Sequence, residues 1–347
     1  MIIDAHTHCI HGDYLDQIAK SGDKWGAGRA EWARAQAKRK PAFADVSERM
    51  AQLDRTGITY QVVTPQWTFD SNLLPGEVSA QLSYARALND NMARLTEDSK
   101  GRLLAAGTVP LTDFESGGRQ EMERAINHLG IKAIAISTNL LGKPIDLPEF
   151  EPFWALAAEM SVPVILHPAD PFTPDSRRYE AEYDLMHNYG WPFETVLAMP
   201  RLVFSGIMER YPTLKVVGHH LGGGIPFFMG RTLETYTATT NLSTREAPGA
   251  SEQLVKKIGH DLPKSLFDYF SLFYYDTAIG GSAPAIRCAY EVFGADQLLY
   301  ATDAPFGPGT GEERLESYPK VIESLGLSAE ENKKIFESNA RRVFNLD

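Results

Sequence analysis

Cysteine is scarce in this 347-residue chain: Cys9 and Cys288 are the only two, too few for a disulfide framework. Long hydrophobic runs are missing as well. No stretch of about 18 apolar residues is present to span a membrane, and Met1-Ile2-Ile3-Asp4 places a charge where a secretory leader stays apolar. These absences predict a cytoplasmic protein with no membrane partner. Excess positive charge is also lacking. Lys and Arg total 34 against 45 Asp and Glu, a formal net charge of -11, which argues against nucleic acid because phosphate binding needs clustered cations. A small anionic substrate, which feels local charge, stays open. There is no Gly-x-Gly-x-x-Gly after the first strand, the main signal of a dinucleotide fold. Gly-x-Ser-x-Gly nucleophile chemistry is absent too, as are low-complexity segments and sequence repeats.

What remains is an ordinary globular composition, 43% hydrophobic and 23% charged, long enough to bury a large core. Short apolar runs alternate with helical patterns. Strands are expected at Ile2–His6, Ile58–Pro65, Leu103–Val109, Ile131–Ile136, Val162–His167, Leu214–His219, Leu272–Asp276 and Gln297–Thr302. Between them lie helices at Asp45–Gly57 (an N-cap candidate at one end, a stopping Gly at the other), Val78–Asp98, Gly117–Leu129, Pro148–Glu159, Trp191–Arg210, Gly224–Tyr236 and Ala283–Phe293. Pro200 should break or kink the fifth of these. Glu312–Leu325 and Ser328–Phe344 close the chain. A polar, irregular insertion, expected to be helical in part, runs from about Ile10 to Ala44, and long insertions of this kind tend to be functional. Eight alternating units predict an α/β fold, a (β/α)8 TIM barrel with a long insertion after strand 1, forming one domain over 1–347.

The chemistry-bearing residues fall at the C-terminal ends of these strands, where barrel enzymes build their sites. His6 and His8 follow the first strand, His167 the fifth, His219 and His220 the sixth, Asp276 the seventh and Asp303 the eighth. On an extended strand His6 and His8 share a face, roughly 6.5–7 Å apart, whereas Cys9 faces the other way and is not expected to be a ligand. His6, His8, His167 and Asp303 together offer three imidazoles and a carboxylate. That set suits zinc, iron or manganese, and a catalytic site keeps one position open for water or substrate.

Several of these stretches carry a family resemblance. His6-Thr7-His8, Val164-Ile165-Leu166-His167-Pro168, His220-Leu221-Gly222-Gly223-Gly224-Ile225-Pro226-Phe227 with Gly230-Arg231, and Thr302-Asp303-Ala304-Pro305-Phe306-Gly307 resemble the ordered motifs of the amidohydrolase superfamily. The similarity is to the branch that includes aminocarboxymuconate semialdehyde decarboxylase, γ-resorcylate decarboxylase and 5-carboxyvanillate decarboxylase, and it runs from Met1 to about Phe344. It implies a barrel of the metal-dependent hydrolase type. His6, His8, His167 and Asp303 then match the metal ligands, and His220, six residues before Pro226, matches the catalytic histidine. His219 is expected to pack at the strand end or to make a second substrate contact. No lysine stands where binuclear relatives carry their bridge, since the fourth strand ends Ala135-Ile136-Ser137-Thr138-Asn139. One divalent ion is therefore implied, zinc first and manganese second. Some decarboxylases of the branch carry Glu at the first position of the histidine pair; this chain keeps His6, as the semialdehyde type does.

The reaction implied is non-oxidative decarboxylation of an aromatic or unsaturated carboxylic acid, with Asp303 delivering the proton to carbon, or His220 acting on a metal-bound water or polarising the substrate. Metal-dependent hydrolysis or hydration on the same site is the alternative, and a non-catalytic barrel with a relic site is a third reading. A carboxylate substrate calls for a cation, for which Arg49, Arg177 and Arg178 are candidates. Trp191, with Trp67, Phe69 and Phe172, can stack on a flat substrate. The resemblance also implies a homodimer, with Tyr179–Trp191 and the closing helices as contact surfaces.

Overall fold

The eight apolar runs become eight parallel strands. The computed structural model describes residues 1–19, 24–65, 69–74, 78–170, 183–240 and 262–346. The strands are β1 (Ile3–His8), β2 (Tyr60–Thr64), β3 (Leu103–Gly107), β4 (Ala133–Ser137), β5 (Val164–His167), β6 (Val216–Gly218), β7 (Tyr274–Asp276) and β8 (Leu298–Leu299). They pair in chain order, each with the next. Closure comes from the main chain: Ala5 N donates to Tyr300 O (2.8 Å), His8 N to Ala304 O (2.7 Å) and Asp303 N to His6 O (2.8 Å). The β8 segment is thereby stitched to β1, and the expected (β/α)8 barrel results.

The helices are α1 (Gly12–Ala19), α2 (Lys24–Arg39), α3 (Val46–Thr56), α4 (Val78–Asp98), α5 (Gly118–Asn127), α6 (Glu151–Glu159), α7 (Trp191–Phe204), α8 (Ile225–Thr240), α9 (Ala283–Phe293), α10 (Glu312–Glu323) and α11 (Asn339–Phe344). In α3, Asp45 caps the N-terminus by accepting from Ser47 N and Glu48 N, and Gly57 ends the helix at φ 72°. Most strands start one or two residues later than the apolar runs suggest. Val162 N, for example, still bonds back to Ala157 O (2.9 Å) to finish the turn after α6.

The insertion is more helical than expected: α1 buries Tyr14, Leu15 and Ile18, and a short turn at Pro41–Phe43 buries Ala42 and Phe43. One expectation is corrected: Pro200 does not break α7, which continues four residues beyond it to Phe204.

The barrel interior is lined by Ile3, Ala5, Val62, Ala106, Ile165, Val217 and other small or branched residues, and α11 packs against it with Ala340, Val343 and Phe344. A larger apolar layer between strands and outer helices completes the core. Register in β1 shifts between Asp4, which pairs with Gln61, and Thr7, which pairs with Val63. That bulge lets Ile3 and Ala5 serve the apolar interior while His6 and His8 serve the rim above it. No helix among the described residues is long and apolar enough to cross a membrane.

Phe344 is fully buried against the barrel interior. Phe344→Ala is expected to cost about 3–5 kcal/mol in denaturant unfolding, and Asp45→Ala only about 1 kcal/mol. A Phe344→Ala loss no larger than the cap loss would contradict the packing described.

Candidate metal centre

Three imidazoles are turned inward by what their Nδ1 atoms bind. His6 Nδ1 lies 2.9 Å from Asp276 Oδ2, His8 Nδ1 3.2 Å from Thr64 O, and His167 Nδ1 2.7 Å from Pro168 O. Each partner is an acceptor, so each Nδ1 carries the proton and donates it. The Nε2 atoms are left with lone pairs, and they converge: His6 Nε2 and His8 Nε2 are 3.1 Å apart, and His6, His8 and His167 bring donor atoms within 4.8 Å of one another. Asp303 Oδ1 completes the set, 3.2 Å from His8 Nε2 and 3.8 Å from His6 Nε2. Lone pairs and a carboxylate facing one another across 3–4 Å repel unless a cation lies among them, so this donor set fits a divalent ion. The carboxylate–His6 and carbonyl–His pairs are the outer partners that ligating imidazoles usually have.

The surroundings keep these groups in ligand-ready states. Burial drives the His6 pKa down to about 3, helped by neighbouring His219 and opposed by Asp276. Burial likewise holds His167 well below the ordinary histidine range and lowers His220. Burial alone would raise Asp303, but the His8 hydrogen bond and the charges of His6, His8 and Arg314 hold it well below the usual carboxylate range. Asp276 follows the same logic, with burial outweighed by His6 and His219.

Asp276 does more than hold His6. Its Oδ2 also accepts from His219 Nδ1, while Oδ1 accepts from His220 N (2.9 Å) and Ala278 N (3.0 Å). It therefore sets the backbone of the β6 end, where His220 and Leu221 both take left-handed φ of 54°. The following turn needs Gly223, at φ 67°, because a Cβ there would lie 2.0 Å from Pro192 O. His220 comes within 4.8 Å of His6 and Asp303 donor atoms. His219, expected mainly as packing, stacks on His6 with ring centroids 3.4 Å apart.

The site is braced from outside. Arg314 on α10 donates to Asp303 Oδ2 (2.9 Å) and to Thr302 O (3.1 Å). Asp4, behind β1, accepts from Thr302 Oγ1 (2.6 Å), Thr302 N (3.0 Å) and Gln61 Nε2 (3.1 Å), and burial pushes its carboxyl up to about 7 despite these bonds. Neither Arg314 nor Asp4 was legible as part of the site; Arg314 sits on a helix in a charged stretch with no distinguishing spacing. The insertion docks here too, with Lys40 Nζ donating to Gly307 O (2.7 Å) and Gly309 O (2.8 Å).

Arg49, a candidate cation for the substrate, braces the barrel end. It is fully buried, and its Nη2 donates to His8 O (2.8 Å) and Ala304 O (3.1 Å), clamping the ends of β1 and β8. Nε and Nη1 have no hydrogen-bond partner among the described residues. Trp191 stands beside the site, its ring 6.3 Å from that of His167 and its Nε1 donating to Asp170 Oδ1 (2.6 Å). Across the rim Phe306 lies 5.3 Å from the His8 ring and 5.6 Å from Phe43. Phe69 is buried against Tyr14 at 5.9 Å. Arg177, Arg178, Trp67 and Phe172 lie outside the described residues. Cys9 is buried in the outer core, as its position on the strand implied.

A parallel barrel with a His-x-His pair, a strand-5 His and a strand-8 Asp converging at its C-terminal rim has the donor set that a divalent ion fits. Residues 3–346 match the Amidohydrolase family, and the chain belongs to it. It is 29% identical over 276 residues to a γ-resorcylate decarboxylase from Rhizobium sp. (strain MTP-10005), covering 77% of each chain. It is 28% identical over 306 residues to a 2-amino-3-carboxymuconate-6-semialdehyde decarboxylase from Dictyostelium discoideum, covering 87% of this chain and 77% of that one. Among solved structures, a dihydroxybenzoic acid decarboxylase from Polaromonas sp. JS666, with bound manganese and the inhibitor 2-nitroresorcinol, superposes with a TM-score of 0.77. That match is at 22% identity over 99% of this chain and 97% of that one.

The depressed His6 value carries a stability consequence for metal-free protein. Between about pH 6.5 and 3 the unfolded chain binds a proton at His6 that the folded chain refuses, so stability falls as pH drops through that window. Asp276 and Asp303, also depressed, add to the loss at its acid end. The urea midpoint of chelator-treated protein should fall from pH 7 to pH 4.5; an unchanged midpoint would rule out neutral, buried imidazoles at the rim.

Proposed function

We propose that this protein is a metal-dependent, non-oxidative decarboxylase of an aromatic carboxylic acid. The observation that carries the reading is the meeting of three inward lone pairs and Asp303 beside two aromatic side chains, Trp191 next to His167 and Phe306 next to His8. Aromatic side chains beside such a site suit a flat ring, and decarboxylase relatives cover most of the chain. We assign one divalent ion, zinc or manganese, to His6, His8, His167 and Asp303. Imidazole nitrogens and one carboxylate accept both, and the manganese in the dihydroxybenzoic acid decarboxylase keeps the second candidate in play.

The reaction breaks the bond between the ring carbon and its carboxylate, leaves the electron pair on that carbon, and replaces carbon dioxide with a proton. When bound, a divalent ion supplies a Lewis acid that neutralises the substrate carboxylate and stabilises the released electron pair. His220 and Asp303 are the two groups near the site that can carry the proton to carbon. Arg314 holds Asp303 Oδ2, which leaves Oδ1 facing the histidines. The unpartnered Nε and Nη1 of Arg49 are candidate donors to the carboxylate, with Arg177 and Arg178 as the other cations of the reading.

Elemental analysis should find about one zinc or manganese per chain, lost in His167→Ala and Asp303→Asn but kept in His220→Asn. Carbon dioxide release from hydroxybenzoates should fall about 10²–10⁴-fold in His220→Asn. Metal without carbon dioxide release, but with a water-added product, would move the assignment to a hydrolase or hydratase. A metal-free native protein that takes up none on reconstitution would leave a non-catalytic barrel.

A homodimer belongs to the same reading. Tyr189, Phe193 and Leu197 recur every four residues along the approach to α7 and α7 itself, and all are exposed, as are Phe227 and Phe228 at the start of α8. Exposed apolar side chains of this size are surface that a second copy would cover. The closing helices offer no exposed large hydrophobic residue among those described, so they are the weaker surface. Sedimentation of the Phe193→Asp/Phe227→Asp variant should give a monomer where the wild type gives a dimer; a monomeric wild type would refute the assignment.

A further inference from the structure

The end of the barrel opposite the histidine rim carries a cavity of about 220 Å³. It lies where the strands begin. Tyr60 opens β2, Leu104 is the second residue of β3, and Lys132 immediately precedes β4. The facing wall is α11 and the residues just after it, through Arg341, Asn345 and Leu346. Because α11 closes this end of the barrel with Ala340, Val343 and Phe344, the cavity lies between that plug and the strand starts. None of the rim histidines lines it.

The charges around this cavity are not balanced, although the chain as a whole carries a formal net charge of -11. Arg341 is answered by Glu337, its Nε donating to Oε1 at 3.1 Å. Lys132 is not answered. Its main-chain N donates to Ala105 O (2.8 Å), which fixes the residue against β3, but its ammonium makes no hydrogen bond or ion pair among the described residues. The residue is also half-buried, so water meets that charge only in part. The carbonyl end of α11 would repel an anion. Lys215 Nζ removes that obstacle by donating to Arg342 O (3.0 Å), Val343 O (3.2 Å) and Asn345 Oδ1 (2.6 Å). The amide oxygen on the wall is thereby engaged by Lys215, and Lys132 is left for an acceptor that comes from outside.

The rest of the lining is apolar. Tyr60 offers a ring, Leu104 belongs to the barrel interior, and Leu346 is held in place by its N donating to Arg341 O (2.9 Å). An apolar cavity of roughly 150 Å³ holds benzene, so the space here takes one six-membered ring with a carboxylate. Larger ligands need about 300–1,000 Å³. We propose that the barrel floor is a second binding site, for a small aromatic monocarboxylate, with Lys132 as its counter-ion and Tyr60, Leu104 and Leu346 against its ring. One unanswered cation matches one negative charge, and the apolar wall disfavours a compact, strongly hydrated anion such as phosphate. The site is independent of the decarboxylase reading. An acid bound there bridges the strand starts and α11, and so stabilises the folded chain.

The test titrates benzoate into the protein as isolated, by calorimetry, and maps lysine acetylation by mass spectrometry with and without benzoate. Wild type should bind with a Kd of about 0.1–1 mM. Benzoate at about twice its Kd should slow acetylation of Lys132 about threefold and leave the exposed Lys100 and Lys320 unchanged. This footprint separates the floor from any benzoate at the rim. Lys132→Gln should weaken binding about 10-fold with the urea midpoint unchanged, whereas Lys132→Arg, which keeps the charge, should stay within about threefold of wild type. Benzyl alcohol, a ring without the charge, should bind about 10-fold more weakly than benzoate. No benzoate binding, binding that leaves Lys132 unprotected, or equal binding by Lys132→Gln would each overturn the proposal. Equal binding of benzyl alcohol would overturn the carboxylate assignment. Protection of Lys132 in a protein that releases no carbon dioxide from hydroxybenzoates would sustain the floor site while the decarboxylase reading fell.

Discussion

The Asp276 carboxylate is the constraint on which the rim depends. It sits in full burial, takes hydrogen bonds from two imidazoles and two backbone amides, and stays ionised because of them. One oxygen fixes the tautomer and the heading of both His6 and His219. The other fixes the main chain where β6 ends and His220 begins. An anion so placed would be costly alone; here its four donors stabilise it, and it in turn decides which nitrogen of each histidine faces the site.

Around that anchor, residues from distant parts of the chain hold the remaining groups at fixed headings. Thr64 O and Pro168 O orient His8 and His167, Arg314 orients Asp303, and Arg49 pins the carbonyls of His8 and Ala304 together. The non-glycine residues in left-handed conformation at the rim, His220, Leu221 and Asp303, lie within this braced zone. Strain of that kind persists only where surrounding bonds over-determine it, and its presence at the site is consistent with a scaffold shaped for chemistry. The insertion contributes from above, through the Lys40 bonds to the Gly307–Gly309 loop and the Phe43 contact with Phe306.

Much of the fold was legible because its signals are local. The Asp45 cap and the Gly57 stop bound α3, and α4 and α9 have the limits that their patterns predict. The extent of helix in the insertion was not legible because α2, with Gly26 and Gly28 among its charges, carries little periodic apolar signal; packing of Trp32 onto Phe43 and Phe306 supports it. Pro200 was misjudged because the expected break assumes a helix supported by its own hydrogen bonds alone. Here Met199, Leu202 and Val203 are buried on both sides of the proline, and tertiary packing carries the helix through it.

The candidate ligands could be named from the chain because spacing two apart on a strand, and position at a strand end, are properties of short segments. What no segment contains is the heading of a ring. Asp276 reaches back 270 residues to His6 and 57 to His219, and Asp4 reaches forward 298 residues to Thr302. Sequence by itself determined which residues stand at the rim and the barrel that gathers them. Tertiary structure alone decided that Asp276 is an anchor, that Arg314 holds Asp303, that Arg49 is buried, and that His219 stacks on His6 and shares its Asp276 oxygen, because each is a contact between strands or helices that only barrel closure brings together.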